Sequence, residues 1–207
     1  MPPRYSLWLL PPPGATDINN KLSDLISTKI PSLFPDTKLP NFAPHITLAT
    51  GIDESLLGAK AVDGWPAWLN SLDLRSAAGV DEPQIIFDGI GVGDTYTKKC
   101  YLHVQRTRGL EMLAKRLQMQ VFGSGEDRAA DWVLNGWDPH LSLLYWDGII
   151  TATKLEEVKS LFIDGELNAI GISGGKCTAW TGGNLQLVNT SQPVEQWSVL
   201  AQRRLQG

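Results

Sequence analysis

A short pattern centred on a proline–histidine pair occurs twice in this chain and constrains its fold more than any other feature. Residues 42–50 read FAPHITLAT and residues 137–145 read WDPHLSLLY. Both copies therefore run aromatic, any residue, proline, histidine, aliphatic, hydroxyl, leucine. The chain has 3 histidines, and His45 and His140 take two of them. The repeat predicts two strands, each with a histidine and a hydroxyl on one face, because residues i and i+2 of a strand point the same way.

The two copies also indicate how the chain is organised. His45 shares a face with Thr47 and His140 shares one with Ser142, while the aliphatic residues between them turn towards the core. If an approximate two-fold axis relates the copies, the two histidine–hydroxyl pairs face each other across a cleft. No linker rich in glycine, serine or charge divides the 207 residues, so we expect one domain over residues 1–207.

Apolar periodicity predicts the other elements. Strands are expected at residues 5–10, 43–50, 84–91, 97–106, 137–146, 166–173, 176–181 and 194–201. Helices are expected over 18–30, with Asp17 as N-cap and Pro31 as the end, and over 55–72, 110–121 and 151–162. The polar, glycine-containing residues 122–130 are expected to form an exposed, mobile loop. The order of elements predicts an α+β fold with mostly antiparallel strands and helices outside.

Charge and composition reduce the number of function classes that fit this chain. The chain has 18 Lys+Arg against 22 Asp+Glu, a net charge of -4, so it is a poor candidate for gripping a long nucleic-acid backbone. A few local donors could still hold one phosphate group. No apolar run is long enough for a signal-peptide core or a membrane span, and we expect a cytoplasmic monomer. Cys100 and Cys177 form either one disulfide or two reduced, buried thiols.

Two imidazoles that face each other across a cleft suit in-line displacement at phosphorus without a metal or other cofactor. One histidine takes a proton from water and the other protonates the departing alkoxide, each transfer contributing about 10²–10⁴-fold. The hydroxyls of Thr47 and Ser142 can donate to non-bridging phosphate oxygens. A zinc site is the alternative for the pair, but the repeat lacks the usual ligand number and spacing. His103 lies outside any such frame and is predicted to be a structural strand residue.

At this point the sequence resembles the two-histidine phosphoesterase superfamily, and within it the fungal and plant 2′,3′-cyclic-nucleotide phosphodiesterases that act late in tRNA-splicing metabolism. The resemblance covers nearly the whole chain. Besides the two motifs it includes Leu7-Trp8 followed by prolines, Leu33-Phe-Pro-Asp36, Ile86-Phe-Asp-Gly-Ile-Gly-Val-Gly93 with Tyr96 and Lys98-Lys99, and the closing Pro193-Val-Glu-Gln-Trp197.

The resemblance implies a bilobal α+β fold in which two pseudo-symmetric antiparallel sheets line a central cleft. It implies that His45 and His140 are the catalytic pair and that Thr47 and Ser142 hold the phosphate. Tyr145 occupies the family's tyrosine position, although strand alternation places it on the face opposite His140. The implied reactions open ADP-ribose 1″,2″-cyclic phosphate to the 1″-phosphate and nucleoside 2′,3′-cyclic phosphates to 2′-phosphates, with no metal. The implied partner is a small cyclic nucleotide.

Trp8 is a further candidate for substrate binding. It lies in the strand expected next to the motif strands, so its ring either stacks on a base or lines the cleft, or else is an ordinary core tryptophan.

Two other functions remain open. An RNA-end enzyme related to the bacterial 2′–5′ ligase-like proteins would carry a basic groove, for which Lys98, Lys99, Arg106 and Arg108 are the available cations. A nucleotide-binding module without turnover is the other alternative.

Overall fold

The computed structural model describes residues 4–54, 64–74, 82–163 and 178–205. Eight strands in this part of the chain form one sheet in the order β6-β3-β4-β5-β2-β1-β7-β8. They are β1 (Arg4–Leu10), β2 (Ile46–Asp53), β3 (Gln84–Val92), β4 (Cys100–Val104), β5 (His140–Leu144), β6 (Thr178–Thr181), β7 (Gly183–Asn189) and β8 (Ser198–Leu205).

Helices precede or separate these strands. They are α1 (Thr16–Asp24), α2 (Ile30–Ser32), α3 (Trp65–Ser71), α4 (Arg108–Phe122), α5 (Glu126–Asp131) and α6 (Ala152–Ile163). Two π-helical turns, Leu25–Lys29 and Trp132–Gly136, continue α1 and α5, and 3₁₀ turns cover Tyr96–Lys98 and Val194–Gln196. The predicted α+β class with antiparallel strands and accompanying helices is confirmed.

The sheet consists of two four-stranded halves that meet between the motif strands. One half is β6-β3-β4-β5 and the other is β2-β1-β7-β8. The halves join where β2 and β5 pair antiparallel, with Ile46 opposite Leu141. These two residues hold the same place in the two motifs, each directly after its histidine. The two sheets expected from the sequence are therefore the halves of one continuous sheet.

Both motif strands begin later than the sequence predicts. β2 begins at Ile46 rather than at residue 43, and β5 begins at His140 rather than at residue 137. Pro44 and Pro139 lack the N–H that a ladder needs, so the segments through them stay outside the sheet.

The first helix also differs from prediction at both ends. Asp17 is not the N-cap, because the helix begins at Thr16 after Ala15, and Asp17 lies in the first turn. Pro31 does not end the helical run, which continues to Ser32. The wider π turn at Leu25–Lys29 precedes the proline, and it relieves the clash that a proline ring makes with the preceding turn of a regular α-helix.

The expectation of a loop over residues 122–130 is wrong. Helix α4 runs to Phe122 and ends at Gly123, whose φ of 66° is left-handed. Helix α5 then begins at Glu126, where two acidic residues in the first turn favour a helix start. Lys115 of α4 pairs with Glu126 at 2.9 Å, and Ala129 is buried, so both contacts fix the short helix to α4.

Two further strand predictions need correction. The chain between residues 183 and 189 was not predicted as a strand, yet it forms β7, with Leu185 and Leu187 buried. The strand expected at 194–201 begins as a 3₁₀ turn, and β8 starts only at Ser198. The strand expected at 166–173, residues 55–63 of the second helix and Cys177 lie outside the described residues. Cys100 is a buried free thiol.

The hydrophobic core lies on the face of the sheet opposite the motif histidines. The aliphatic motif residues Ile46, Leu48, Leu141 and Leu143 are at most 1% exposed, as the alternation predicts. Burying each such side chain typically contributes about 1.5–3 kcal/mol. Helix α4 adds an apolar face to this core through Leu110, Leu113, Leu117 and Val121. Within the described ranges, no helix is both long and apolar enough to cross a membrane.

Candidate active site

The pairing of β2 with β5 brings the four motif residues onto one face of the sheet. Ile46 lies opposite Leu141 in this antiparallel pair. Moving one residue along each strand in opposite directions sets His45 beside Ser142 and Thr47 beside His140. Each histidine thus neighbours the hydroxyl of the other motif. We call this side of the sheet the site face.

Both histidines are held by the same local hydrogen bond. Nδ1 of His45 lies 2.7 Å from the Ala43 carbonyl, and Nδ1 of His140 lies 2.8 Å from the Asp138 carbonyl. A carbonyl oxygen only accepts, so Nδ1 carries the proton and donates in each case. Nε2 is consequently the nitrogen of each ring that can exchange a proton with a ligand. The proline between donor and acceptor in each motif fixes this short turn.

His45 is enclosed by aromatic rings. It is 4% exposed and stacks on Trp8, with ring centroids 3.7 Å apart and planes at 15°. Burial disfavours the charged imidazole and lowers the pKa of His45 from 6.5 to about 4, with the charge of His140 adding to the effect. His45 is therefore neutral in the free protein near neutral pH. Trp8 is itself 5% exposed, so its contact with the site is its stacking on the His45 ring.

His140 has a more open and more charged environment. It is half-buried, and burial lowers its pKa below 6.5, while the nearby cations Lys98 and His103 lower it further. The carbonyl and carboxylate of Asp138 act in the opposite direction. Lys98 forms an ion pair with Asp138, which holds the pKa of that carboxyl below its usual range. The two histidines thus differ in environment despite their shared motif.

Tyr145 joins the site because β5 ends before it. The strand stops at Leu144, so the alternation that would have turned Tyr145 to the opposite face no longer applies. Its hydroxyl lies 3.4 Å from Nε2 of His45. Burial raises the pKa of Tyr145, which keeps the hydroxyl protonated. Its ring stacks on Phe42, with centroids 3.8 Å apart.

The two motif hydroxyls differ in what they bind. Ser142 is 5% exposed and its Oγ donates to the Thr97 carbonyl at 2.7 Å. Thr47 is half-buried, and no group in the described ranges hydrogen-bonds to its hydroxyl. Within the described residues the Thr47 hydroxyl therefore has no hydrogen-bond partner, whereas the proton of the Ser142 hydroxyl is held by the Thr97 carbonyl.

Comparisons with known proteins identify the family of this chain. A family model described as cyclic phosphodiesterase-like protein matches residues 3–205. The chain belongs to this family. The chain is 34% identical to the 2′,3′-cyclic-nucleotide 3′-phosphodiesterases of Phaeosphaeria nodorum and Neurospora crassa, in each case over 98% of this chain and 100% of the relative.

Solved structures show the same fold. E. coli LigT complexed with NADP+ is similar with a TM-score of 0.54 and 18% identity, over 100% of this chain and 99% of that one. A structure described as a phosphoesterase is similar with a TM-score of 0.55 and 19% identity, over 100% of both chains. The family resemblance noted from the sequence is confirmed, and so is the fold that it implies.

The aromatic residue at the first position of each motif contacts the other motif in this member of the cyclic phosphodiesterase-like family. Phe42 of the first motif stacks on Tyr145 beside the second. Trp137 of the second motif donates from Nε1 to the Thr47 carbonyl of the first, at 3.2 Å. Each aromatic residue therefore packs against the other motif. The repeat contains both aromatic residues, but no local pattern shows that each one contacts the other motif.

Arg106 and Trp197 also contact the site, although the sequence did not predict these contacts. Arg106 donates to the carbonyls of Val133, Leu134 and Trp137 and so anchors the segment that leads into His140. Trp197, from the chain before β8, lies 5.4 Å from Trp8 and 6.0 Å from Tyr145 between ring centroids. Neither has a local sequence signal, because both act over long chain separations.

The sequence left a zinc site as the alternative for the histidine pair. The described part of the chain contains no group of three or more His, Cys, Asp or Glu side chains placed to hold a metal ion. Measuring activity in the presence of a chelator tests the zinc alternative.

Proposed function

We propose that this chain hydrolyses cyclic phosphodiesters. Its substrates are nucleoside 2′,3′-cyclic phosphates, opened to 2′-phosphates, and ADP-ribose 1″,2″-cyclic phosphate, opened to the 1″-phosphate in tRNA-splicing metabolism. The observation that carries the proposal is the paired arrangement of His45 and His140, both with Nδ1 fixed on a carbonyl and both beside a hydroxyl. Both fungal relatives are 2′,3′-cyclic-nucleotide 3′-phosphodiesterases, which supports the same reaction class for this chain.

The different environments of the two histidines support a different role for each. His45 is neutral above about pH 4 and acts as the base that takes a proton from water. The water oxygen forms a bond to phosphorus while the bond from phosphorus to the 3′ oxygen breaks. His140 is the more exposed imidazole, and in its protonated form it gives a proton to that departing oxygen. The products are a 2′-phosphate and a free 3′ hydroxyl.

The remaining site residues hold the phosphate group of the substrate and the imidazole of His45. Thr47 donates to one non-bridging oxygen. Ser142 donates to another after releasing the Thr97 carbonyl, and Tyr145 supplies a hydroxyl that stays protonated. Trp8 keeps the imidazole plane of His45 in place by stacking and lines this side of the site.

The test is hydrolysis of adenosine 2′,3′-cyclic phosphate in the presence of EDTA. We expect turnover to the 2′-phosphate, and His45→Ala and His140→Ala should each lower kcat/KM by about 10²–10⁴-fold. His103→Ala removes the third imidazole and should cost less than about tenfold. Loss of activity in EDTA with recovery on adding zinc would overturn the metal-free mechanism. A large excess of kcat/KM on oligonucleotides with a cyclic phosphate end would favour an RNA-end enzyme.

A second substrate separates the two histidine roles. A 4-nitrophenyl phosphodiester has a leaving group that needs no proton, so the acid becomes dispensable. His140→Ala should then recover most of its lost activity, while His45→Ala should not. If His45→Ala recovered its activity on this substrate instead, His45 would be the acid and His140 the base.

A further inference from the structure

The imidazole of His140 is held by hydrogen bonding more than by packing. Its ring is half-buried, and the Tyr101 ring packs edge-on against it, with centroids 5.4 Å apart. Across the β4–β5 pair it lies opposite His103, which is exposed. His45, in contrast, is 4% exposed and stacks on a tryptophan. The orientation of the His140 ring therefore depends on the bond from its Nδ1 to the Asp138 carbonyl, and on what fixes that peptide.

Three successive carbonyls lead into this histidine, and each of them is bound by a donor. The Asp138 carbonyl accepts from the imidazole itself at 2.8 Å, and the Pro139 carbonyl accepts from the backbone N–H of Val104 at 3.3 Å. The Trp137 carbonyl, the first of the three, accepts from Nη2 of Arg106. The segment before β5 is therefore fixed peptide by peptide, and a guanidinium holds its first peptide.

The same guanidinium binds the helical turn that precedes this segment. Nη1 of Arg106 donates to the Val133 and Leu134 carbonyls at 2.6 and 3.1 Å. Both carbonyls belong to the π turn Trp132–Gly136, and the last carbonyls of a helix have no intrahelical donor. A positive charge is also favourable at this end of a helix. One planar side chain thus joins a helix end to the segment that carries the second motif.

The backbone around Arg106 is itself bound to β3. The Gln105 N–H donates to the Ile86 carbonyl at 2.8 Å, and the Thr107 hydroxyl donates to the Gln84 carbonyl at 2.8 Å. A carboxylate in the first turn of α4 lies 3.9 Å from Nη1 of the arginine. These contacts make the guanidinium a fixed anchor for the carbonyls that it binds.

We propose that Arg106 is a positioning residue for the acid step. Its guanidinium fixes the Trp137 peptide, and through it the Asp138 carbonyl that keeps the proton of the neutral His140 ring on Nδ1. Nε2 is then the atom that carries the proton for the departing oxygen. Among the described residues no group donates to the Phe42 carbonyl, at the same place in the first motif, whose histidine is held by packing instead. The inference rests on the proposed function, since it takes His140 to be the acid.

Arg106→Lys tests the proposal, because it keeps the positive charge but loses the planar set of donors. On adenosine 2′,3′-cyclic phosphate, kcat should fall about 10- to 100-fold and KM should change less than about twofold, since a misplaced acid lowers the rate and not the binding. On the 4-nitrophenyl phosphodiester, whose leaving group needs no proton, the loss of kcat should shrink to less than about threefold. Arg106→Gln should give the same pattern and replaces Arg106→Lys if that variant folds poorly.

Arg203 offers a matched control outside both motifs. Its Nη1 donates to three carbonyls at the end of α3, those of Leu69, Asn70 and Leu72, at 3.1, 3.3 and 2.6 Å. Arg203→Lys therefore disturbs a guanidinium contact of the same kind. The ratio of kcat on the two substrates should stay at the wild-type value in this variant.

The tautomer of His140 tests the positioning without turnover. NMR of isotope-labelled imidazole nitrogens, at a pH where both rings are neutral, should place the proton on Nδ1 of His45 and His140 in the wild-type protein. Arg106→Lys should give His140 a mixture of tautomers and leave His45 unchanged, and Arg203→Lys should change neither.

An unchanged His140 tautomer in Arg106→Lys, or equal losses of kcat on the two substrates, would overturn the proposal. A wild-type protein that turns over neither substrate, with the change of tautomer still present in Arg106→Lys, would instead overturn the proposed function.

Discussion

The environment of His45 links one side chain to the stability of the protein. Its imidazole stacks on Trp8 and is nearly excluded from water. Because its pKa is lowered from 6.5 to about 4, the unfolded chain binds the proton more tightly than the folded one. The resulting stability is fully present above about pH 6.5 and is lost as the pH falls towards 4.

We therefore expect acidification to destabilise the wild-type protein more than a variant that lacks this group. Between pH 7.5 and pH 5, the free energy of unfolding of wild type should fall by about 2 kcal/mol more than that of His45→Gln. Denaturant unfolding at the two pH values measures the difference. His103→Gln changes an exposed imidazole and should show the same fall as wild type. Equal pH dependence in wild type and His45→Gln would show that His45 is not buried as a neutral ring.

At the scale of elements, the two halves of the sheet meet at one backbone pair, Ile46 with Leu141, between β2 and β5. We call this junction the seam, and side-chain contacts strengthen it. Phe42 packs on Tyr145, and Trp137 reaches the Thr47 carbonyl from the other side of the seam. The prolines that keep both histidines at the strand starts also leave these aromatic residues outside the ladder, where each can cross to the other motif. Phe42 and Trp137, which both precede their strands, therefore each strengthen the seam by contacting the other motif.

Trp137→Phe tests this contact, because it keeps a ring but removes the Nε1 donor. We expect a loss of about 1–2 kcal/mol in the free energy of unfolding, from the lost hydrogen bond at a buried site. Trp132→Phe is the matched control, since Trp132 stacks on Trp137 and is half-buried but does not bond to the first motif. Thermal or denaturant unfolding of both variants measures the difference. A Trp132→Phe variant as unstable as Trp137→Phe would assign the loss to ring packing alone.

At the scale of the whole molecule, each half of the sheet supplies one histidine. The half that contains β1 and β2 buries His45 among aromatic rings, and the half that contains β4 and β5 places His140 beside Lys98 and Asp138. The two-fold arrangement of the motifs therefore yields two imidazoles with unlike proton affinities. In the proposed mechanism this asymmetry is what allows one imidazole to act as the base and the other as the acid.

The pH profile of kcat/KM should show this asymmetry. His45 must be neutral, which holds above about pH 4, and His140 must be protonated, which holds only below its own lowered pKa. We expect a bell whose maximum lies on the acid side of pH 6.5, measured on adenosine 2′,3′-cyclic phosphate. The alkaline limb should disappear in His140→Ala. A profile that keeps rising from pH 6 to pH 8 would contradict the assignment of acid and base.

Local patterns in the sequence determined the two motif strands and the faces on which their side chains lie. The repeat around His45 and His140 predicted two strands with a histidine and a hydroxyl on one face and aliphatic residues on the other, because strand alternation is a local property. The buried Ile46 and Leu141 agree with that prediction. The glycine-containing composition of residues 122–130 predicts a loop, but the Lys115–Glu126 contact and the buried Ala129 fix a helix there.

Only the tertiary structure decided how the two motifs meet. The pairing of Ile46 with Leu141 sets each histidine beside the other motif's hydroxyl, and the end of β5 at Leu144 frees Tyr145 to reach His45. The pKa of about 4 at His45 and the place of His103 opposite His140 depend on neighbours that are distant along the chain. Burial and cross-strand register are properties of the assembled sheet, and no local pattern contains them.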